Sequence, residues 1–191
     1  MPRALPRLPR PLLAVLSLSL TLGIAQADTA PLFSADGYRS THYRSPTPQQ
    51  VEGGQVVDTA TLQSLLGQTP RPVLIDVYRR QWLQGRFIED EPHSNLPGSL
   101  WLANTGDGEL SPAWQDYFVR NLQKATAGHP DQPLVFYCRS DCWLSWNAVK
   151  RAKALGYKNL YWYRDGLDAW QQANLPPVSY THLTLPTIYS V

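Results

Sequence analysis

Four short, mostly apolar runs along the chain predict buried strands. They lie at residues 73–77, 99–103, 134–137 and 159–163, and turn-forming Pro, Gly, Asn or Asp residues adjoin them. Their apolar residues follow one another instead of alternating with polar ones. This pattern is typical of strands that are covered on both faces of a sheet.

Helical patterns occupy the stretches between these runs. Asp58 or Thr59 can cap a short helix that ends near Leu66. Ser111 followed by Pro112 predicts the start of a second helix, because proline is favoured at the first helical position. The apolar residues after it recur every four positions, as one buried helical face requires: Trp114, Phe118 and Leu122.

Two more helices are predicted in the last third of the chain. Gly156 predicts the end of the first, and residues 166–173 form the second. The spacing within the first assigns Ala148, Ala152 and Leu155 to its inner face and Lys150, Arg151 and Lys153 to its outer face. Strands that alternate with helices predict an α/β domain, in which helices cover both faces of a central parallel sheet.

The two ends of the chain have patterns of another kind. Residues 1–27 combine three arginines, an apolar run and an Ala-Gln-Ala cleavage site, which predicts a signal peptide too short to span a membrane. Residues 178–191 resemble a translated sequencing adapter and are expected to be an artefact. Between them we expect an extended N-terminal arm at residues 28–54 and one domain at residues 55–177.

Charge and composition exclude several classes of function. Removing residues 1–27 takes away three of the 17 Lys and Arg residues, which leaves 14 against 15 Asp and Glu. A nearly neutral domain does not predict a nucleic-acid partner, and no later apolar run predicts insertion into a membrane. Cys138 and Cys142 are the only cysteines. Their short separation argues against a disulfide framework, and two cysteines without a nearby histidine predict no metal site. No cofactor is expected.

Cys138 stands where a parallel sheet usually binds its ligand. It follows the run at residues 134–137 directly, and a helix is predicted a few residues later. We therefore expect Cys138 to open a solvent-facing loop, with Cys142 nearer the body of the helix. The partial positive charge of a helix N-terminus favours a thiolate, so Cys138 is predicted to be the more nucleophilic cysteine.

Residues 135–140, 155–160 and 166–170 together resemble the second half of a rhodanese domain. Residues 74–77 and 95–99 resemble the first strand of that family and its H-I-P-G-A segment. The resemblance covers residues 56–177. It implies a rhodanese-like fold, with Cys138 at the position of the reactive sulfur.

A narrower resemblance rests on Cys138-x-x-x-Cys142-Trp143. Together with Gly37-Tyr38-Arg39 and the run Ser-Trp-Asn-Ala at residues 145–148, this motif resembles a family of secreted bacterial proteins. That family is named for a CXXCW motif and for catabolism dependent on pyrroloquinoline quinone (PQQ). The resemblance implies a periplasmic location. It also implies a periplasmic quinoprotein dehydrogenase, or its electron carrier, as the partner.

The reactive loop departs from the usual rhodanese sequence C-x-x-G-x-R-S. It is one residue longer, Asp141 stands where a small residue is usual, and Trp143 and Leu144 stand where the anion-binding arginine is expected. Phosphatase relatives have an arginine at the place of Leu144, so phosphatase activity is not expected. The candidate catalytic residues are therefore Cys138 and Cys142, and the candidate binding residues are Arg139, Ser140, Asp141 and Trp143.

Three functions remain open from the sequence. Cys138 could accept a sulfane sulfur as a persulfide and pass it on, with a small thiol or sulfane-sulfur donor as the substrate. The two cysteines could instead cycle between a dithiol and a disulfide, or the domain could be a non-catalytic binding module. Residues 79–95 are predicted to be irregular. Two polar residues receive no catalytic role: Asp76, at a strand end, is expected to be structural, and His93, a lone histidine of the irregular stretch, is expected to be solvated.

Overall fold

The computed structural model describes Met1 and residues 31–88 and 92–179. The predicted signal peptide therefore lies outside the described residues apart from Met1, as do residues 180–191 of the expected artefact. Within the described part of the chain, no helix is both long and apolar enough to cross a membrane.

A five-stranded parallel sheet forms the centre of the domain. Its strands stand in the order β1-β8-β7-β2-β6, and every neighbouring pair is parallel. The described residues form nine strands, namely β1 (Gln55–Val57), β2 (Val73–Asp76), β3 (Trp82–Leu83), β4 (Arg86–Phe87), β5 (Ser94–Asn95), β6 (Leu100–Trp101), β7 (Leu134–Tyr137), β8 (Leu160–Tyr163) and β9 (Val178–Ser179). The predicted α/β class with a central parallel sheet is confirmed.

In the part of the chain that the structure describes, four helices cover the sheet, namely α1 (Thr59–Leu66), α2 (Pro112–Ala125), α3 (Trp143–Ala154) and α4 (Gly166–Gln172). The side chain of Asp58 accepts a hydrogen bond from the Thr61 amide at 2.8 Å and caps α1, as predicted. Gly156 has a φ of 92°, a left-handed conformation that suits a residue just after a helix.

The alternation of side chains along β7 divides the core in two. Phe136 packs in one cluster with residues of α2 and α3, including Phe118 and Ala148. Val135 and Tyr137 point to the opposite face and pack with residues of α1 and α4. Because β7 is buried on both faces at the middle of the sheet, the residue that follows it has a rigid support.

Two assignments on α3 are wrong. Leu155 is predicted on the inner face, but it follows the last helical residue and is 44% exposed. Tyr157 is the buried residue instead. Arg151 was placed on the outer face, but it is half-buried, and its guanidinium donates hydrogen bonds to the carbonyls of Thr105 and Asp107, both at 2.7 Å. A long cationic side chain can cover an apolar surface and still satisfy its donors at main-chain carbonyls.

Two small strand pairs complete the fold. The stretch predicted to be irregular contains an antiparallel hairpin of β3 and β4, whose turn residues Gln84 and Gly85 both have positive φ. β9 pairs with β5 in antiparallel orientation, so residues 178 and 179 lie against the domain. That residues 178–191 are an artefact stays a prediction.

Candidate active site

Cys138 and Cys142 are joined by a disulfide bond at the carboxyl end of β7. Their Cα atoms are 6.3 Å apart, within the range that a disulfide can bridge. The short separation in sequence argued against a structural framework of disulfides. It did not prevent this single bond, because the chain between the two residues turns back on itself.

Both cysteines are buried. Cys138 is 1% exposed and Cys142 is fully buried, and both belong to the core cluster between the sheet and α3. The loop between them reaches solvent as expected, at the exposed Asp141 and the half-buried Arg139 and Ser140, but the cysteine side chains do not. The physical reason is that the N-terminal arm, whose contacts could not be inferred from local sequence, lies over this loop.

Cys142 is the residue that caps the N-terminus of α3. It has extended backbone angles and precedes the first helical residue, Trp143. Cys142 lies nearer the helix body than Cys138, as expected, but it stands at the N-cap itself. That Cys138 is the more nucleophilic cysteine stays a prediction. The partial positive charge of the helix N-terminus acts most directly on Cys142.

The guanidinium of Arg139 is paired with a carboxylate of the same chain. Its Nε and Nη2 atoms donate to Oδ1 of Asp168 at 2.9 and 2.7 Å, and the Ser140 amide donates to Oδ2 of the same residue at 2.9 Å. Partial burial raises the pKa of Asp168, but the hydrogen bonds from Arg139 and Ser140 outweigh it, so the pKa of Asp168 is lowered. Asp168 thus fixes the outer side of the loop.

Gly166 lets α4 approach the carbonyl of Cys138 closely. The amide of Leu167 donates to the Cys138 carbonyl at 3.0 Å, and Gly166 forms a bridge with Arg139. Gly166 has a φ of 52°, and a Cβ atom there would collide with the Cys138 carbonyl oxygen. The start of α4 therefore positions the main chain of the reactive loop.

Asp141 adopts a left-handed conformation, with a φ of 50°. Its carbonyl accepts from the Ser45 amide at 3.1 Å, and its Oδ1 atom accepts from the Thr47 amide at 3.3 Å. The residue therefore links the loop to the arm. Aspartate tolerates this conformation better than most side chains, whereas the small residue usual here would adopt it without cost.

The arm binds the loop by main-chain pairing as well. Arg44 forms an antiparallel bridge with Cys142, and the Trp143 amide donates to the Tyr43 carbonyl at 2.9 Å. The Arg44 side chain donates to the Ser140 carbonyl at 2.6 Å, and the Trp143 indole donates to Oγ of Ser45 at 3.1 Å. These contacts cover the outer side of the disulfide loop.

The Gly-Tyr-Arg run at residues 37–39 anchors the arm along one face of α3. The guanidinium of Arg39 lies 4.8 Å from the ring centroid of Trp143. The ring of Tyr38 lies 4.6 Å from the guanidinium of Arg151, two turns further along the helix. The sequence marks this run only through the narrower family resemblance and gives no indication of what it contacts.

The position of the missing arginine is buried. Leu144 is 3% exposed and lies in the core, so the loop offers no cation there. Trp143 packs edge-on against Phe33 and Trp146, which is the packing role that its type favours. Of the six candidate residues, the structure brings Arg139, Ser140, Asp141 and Trp143 around the cysteine pair and binds each of them to the arm or to Asp168.

A second polar cluster lies beside the site at the end of β2. The Asp76 carboxylate is fully buried and meets Nε2 of His93 at 2.8 Å, the amide side chain of Asn95 at 2.9 Å and the Tyr78 amide at 2.7 Å. Burial raises the pKa of Asp76, against the opposing effect of His93. The expectation that His93 is solvated is wrong, because its side chain is 8% exposed and stacks on Tyr78. Within the described ranges, no group of His, Cys, Asp and Glu residues could hold a metal ion.

The model of the rhodanese-like domain family matches residues 58–173, which is more than half of the chain. The chain therefore belongs to the rhodanese-like domain family. No curated protein sequence matches it significantly.

Several solved structures are similar to the chain. A polysulfide-sulfur transferase homodimer from Wolinella succinogenes shares 18% of residues at a TM-score of 0.45, over 68% of this chain and 82% of the other. The Alr3790 protein from Anabaena sp. shares 16% at a TM-score of 0.46, over 65% and 81%. A thiosulfate sulfurtransferase from Pseudomonas aeruginosa shares 14% at a TM-score of 0.49, but the match covers 71% of this chain and only 22% of that one. At such identities the likeness concerns the fold.

Proposed function

We propose that the domain transfers sulfur through the Cys138 and Cys142 pair. The observation that carries this proposal is the disulfide at the carboxyl end of the central strand, with the second cysteine at the N-terminus of α3. The usual anion-binding arginine is replaced by the buried Leu144. A route through two cysteines is therefore favoured over ordinary transfer from thiosulfate to cyanide.

The proposed cycle begins with the reduced pair. The Cys138 thiolate attacks the outer sulfur of an organic persulfide, which releases the donor as a thiolate and leaves a persulfide on Cys138. The Cys142 thiolate then attacks the inner sulfur, expels hydrosulfide and forms the disulfide. An external dithiol reduces that bond. In sum, one persulfide and one dithiol give one thiol, one hydrogen sulfide and one new disulfide, so two electrons pass from the dithiol to the transferred sulfur.

The position of Cys142 supports its role as the resolving thiol. The partial positive charge at a helix N-terminus favours the thiolate form of a cysteine placed there over the thiol. The cysteine that attacks must be ionised, whereas the attacked sulfur of Cys138 is already part of the persulfide. This division of roles requires both residues.

The test is sulfide release from an organic persulfide in the presence of excess dithiol. In excess dithiol we expect the wild type to release sulfide well above the uncatalysed rate and Cys138→Ser to show only the uncatalysed rate. With the donor but without dithiol, we expect Cys142→Ser to gain the mass of one sulfur atom and to release no sulfide. An equal rate in wild type and Cys138→Ser, without a trapped sulfur in Cys142→Ser, would reject sulfur transfer.

The disulfide also favours a second candidate, a thiol–disulfide redox protein. In that case the pair exchanges electrons with another dithiol protein, and no sulfur is transferred. Exchange with a dithiol would then be measurable in the wild type, while persulfide donors would give no sulfide. The burial of both sulfurs favours a third, a non-catalytic module. It predicts equal binding of a dehydrogenase by wild type and the double Cys→Ser variant.

We further propose that this chemistry operates in the periplasm, in PQQ-dependent alcohol catabolism, with a quinoprotein dehydrogenase or its electron carrier as the partner. The support is the resemblance carried by Cys142-Trp143, Gly37-Tyr38-Arg39 and residues 145–148. These separate motifs contact one another, since Arg39 lies against Trp143 and pairs with Asn147. Fractionation of the native host, with co-purification of a dehydrogenase on the tagged protein, tests the proposal. Recovery in the cytoplasm would reject it.

A further inference from the structure

We propose that residues 43–47, here named the clasp, form a redox-linked cover over the cysteine pair. The clasp is docked while the disulfide is intact and is released when the disulfide is reduced. This inference rests on the proposed function, because it describes how the buried pair becomes accessible to a donor.

The burial of the sulfurs requires such an opening. With Cys138 at 1% exposure and Cys142 fully buried, neither a thiol nor a persulfide can reach a sulfur atom in the described conformation. β7 and α3 support the loop from within, and Asp168 fixes one edge of it. The outer side is covered by the clasp, which has no regular secondary structure of its own.

The contacts of the middle of the clasp fall on the ring of residues that the disulfide closes, whereas Tyr43 and the Ser45 hydroxyl also bond to Trp143 just after it. Arg44 pairs with Cys142 and donates to the Ser140 carbonyl, and the Ser45 amide donates to the Asp141 carbonyl. All three partners lie between the two sulfurs along the chain or carry one of them. Any change in the shape of this ring therefore moves the acceptors that hold the clasp.

Asp141 is the element whose conformation the bond controls. A left-handed backbone costs of the order of 1 kcal/mol for a residue other than glycine, and it persists where its surroundings impose it. Here two constraints impose it, the disulfide and the hydrogen bonds from Ser45 and Thr47. Removing the disulfide leaves the clasp alone to hold Asp141, so we expect the residue to relax and the clasp to detach.

The coupling is reciprocal. If the disulfide favours the docked clasp, the docked clasp favours the disulfide by the same factor. Reduction by an external dithiol breaks the single S–S bond, forms the thiols of Cys138 and Cys142, and converts the dithiol into its own disulfide. The dithiol reaches the buried bond only while the clasp is transiently detached, and once the bond is reduced the clasp no longer docks.

Amide hydrogen exchange of the oxidised and the dithiol-reduced wild type tests the inference. We expect the amides of Ser45, Thr47 and Trp143 to exchange at least about fivefold faster in the reduced protein, the lower end of typical coupling. The amide of Arg39 bonds to Asn147 outside the ring, so its exchange should change little and serves as the internal control. Equal rates for the clasp in both states would overturn the inference.

Two variants of Asp141 sharpen the test. Asp141→Asn keeps an acceptor for Thr47 and tolerates the left-handed backbone, so the redox difference in exchange should persist. Asp141→Gly removes the conformational cost, so the loop keeps its shape when reduced and the ratio of the two exchange rates should shrink towards one. It also removes the acceptor of the Thr47 amide, so this ratio is read at Ser45 and Trp143. An unchanged difference in Asp141→Gly would also overturn the inference. No sulfur donor is present in these measurements, so the clasp can fail while sulfide release stands, and the reverse.

Discussion

Arg39 and Asn147 are joined by a pair of hydrogen bonds across the surface of α3. The Arg39 amide donates to Oδ1 of Asn147 at 2.9 Å, and Nδ2 of Asn147 donates to the Arg39 carbonyl at 2.8 Å. The same Nδ2 atom donates to the Gly106 carbonyl at 2.9 Å. One buried amide side chain therefore satisfies the main chain of the arm and of a loop that are far apart in sequence.

Replacing this amide should destabilise the domain strongly. In Asn147→Ala the buried amide and carbonyl of Arg39 and the Gly106 carbonyl lose their partner, so we expect a loss of about 3 kcal/mol in the free energy of unfolding. Urea denaturation measures it. Asn121→Ala is the matched control, because Asn121 makes a single hydrogen bond to its own helix and should cost under about 1 kcal/mol. Similar losses in the two variants would contradict the role of Asn147.

Gly166 and Gly128 offer a second matched pair. Both have positive φ, but a Cβ atom at Gly166 collides with the Cys138 carbonyl, whereas nothing lies within 4 Å of one at Gly128. Gly128→Ala should therefore cost about 1 kcal/mol for the backbone alone. Gly166→Ala should cost several times as much, because the main chain of the loop must move. Thermal unfolding compares them, and equal shifts in the melting temperature would show that the close approach is not needed.

The ionisation of the two cysteines can be compared in the single variants. We expect the protein that keeps only Cys142 to be alkylated faster at pH 6 than the protein that keeps only Cys138, because Cys142 caps α3. Iodoacetamide alkylation followed by mass spectrometry across a pH series gives both pKa values. A lower pKa for Cys138 would contradict the assignment of the helix charge to Cys142.

Asp168 should make the domain sensitive to acid. Its pKa is lowered in the folded state, so its contribution to stability is present above the unfolded pKa of about 4 and is lost as the pH falls through the folded pKa. Asp168→Asn should therefore lose less stability than the wild type between neutral pH and acid. Asp131→Asn changes an exposed residue on the opposite end of β7 and is the control. Parallel pH profiles for Asp168→Asn and wild type would contradict this assignment.

Local signals in the sequence are sufficient for the frame of the site. The apolar run before Cys138, the cap at Asp58 and the glycine after α3 predict the order of strands and helices, because each signal acts over a few residues. The position of Cys138 at the end of the central strand follows from that order.

The cover of the site could not be predicted in the same way. The hydrogen bonds of Arg39 reach a residue 108 positions away, and no periodicity or spacing encodes a contact of that range. The burial of His93 could not be predicted either, because it depends on contacts with Asp76 and with the ring of Tyr78. When the hydrogen-bond partner of a polar residue lies in another helix, strand or loop, the residue type alone predicts that its side chain is solvated.

The distance in sequence between the arm and α3 has a consequence for the order of folding. Closing a contact over more than a hundred residues costs more chain entropy than closing the five-residue ring between the cysteines. We therefore expect the ring to be oxidised while the arm is still unattached. The arm then packs over a disulfide that has already formed. The oxidant that makes this disulfide therefore does not need access to the sulfurs in the folded domain.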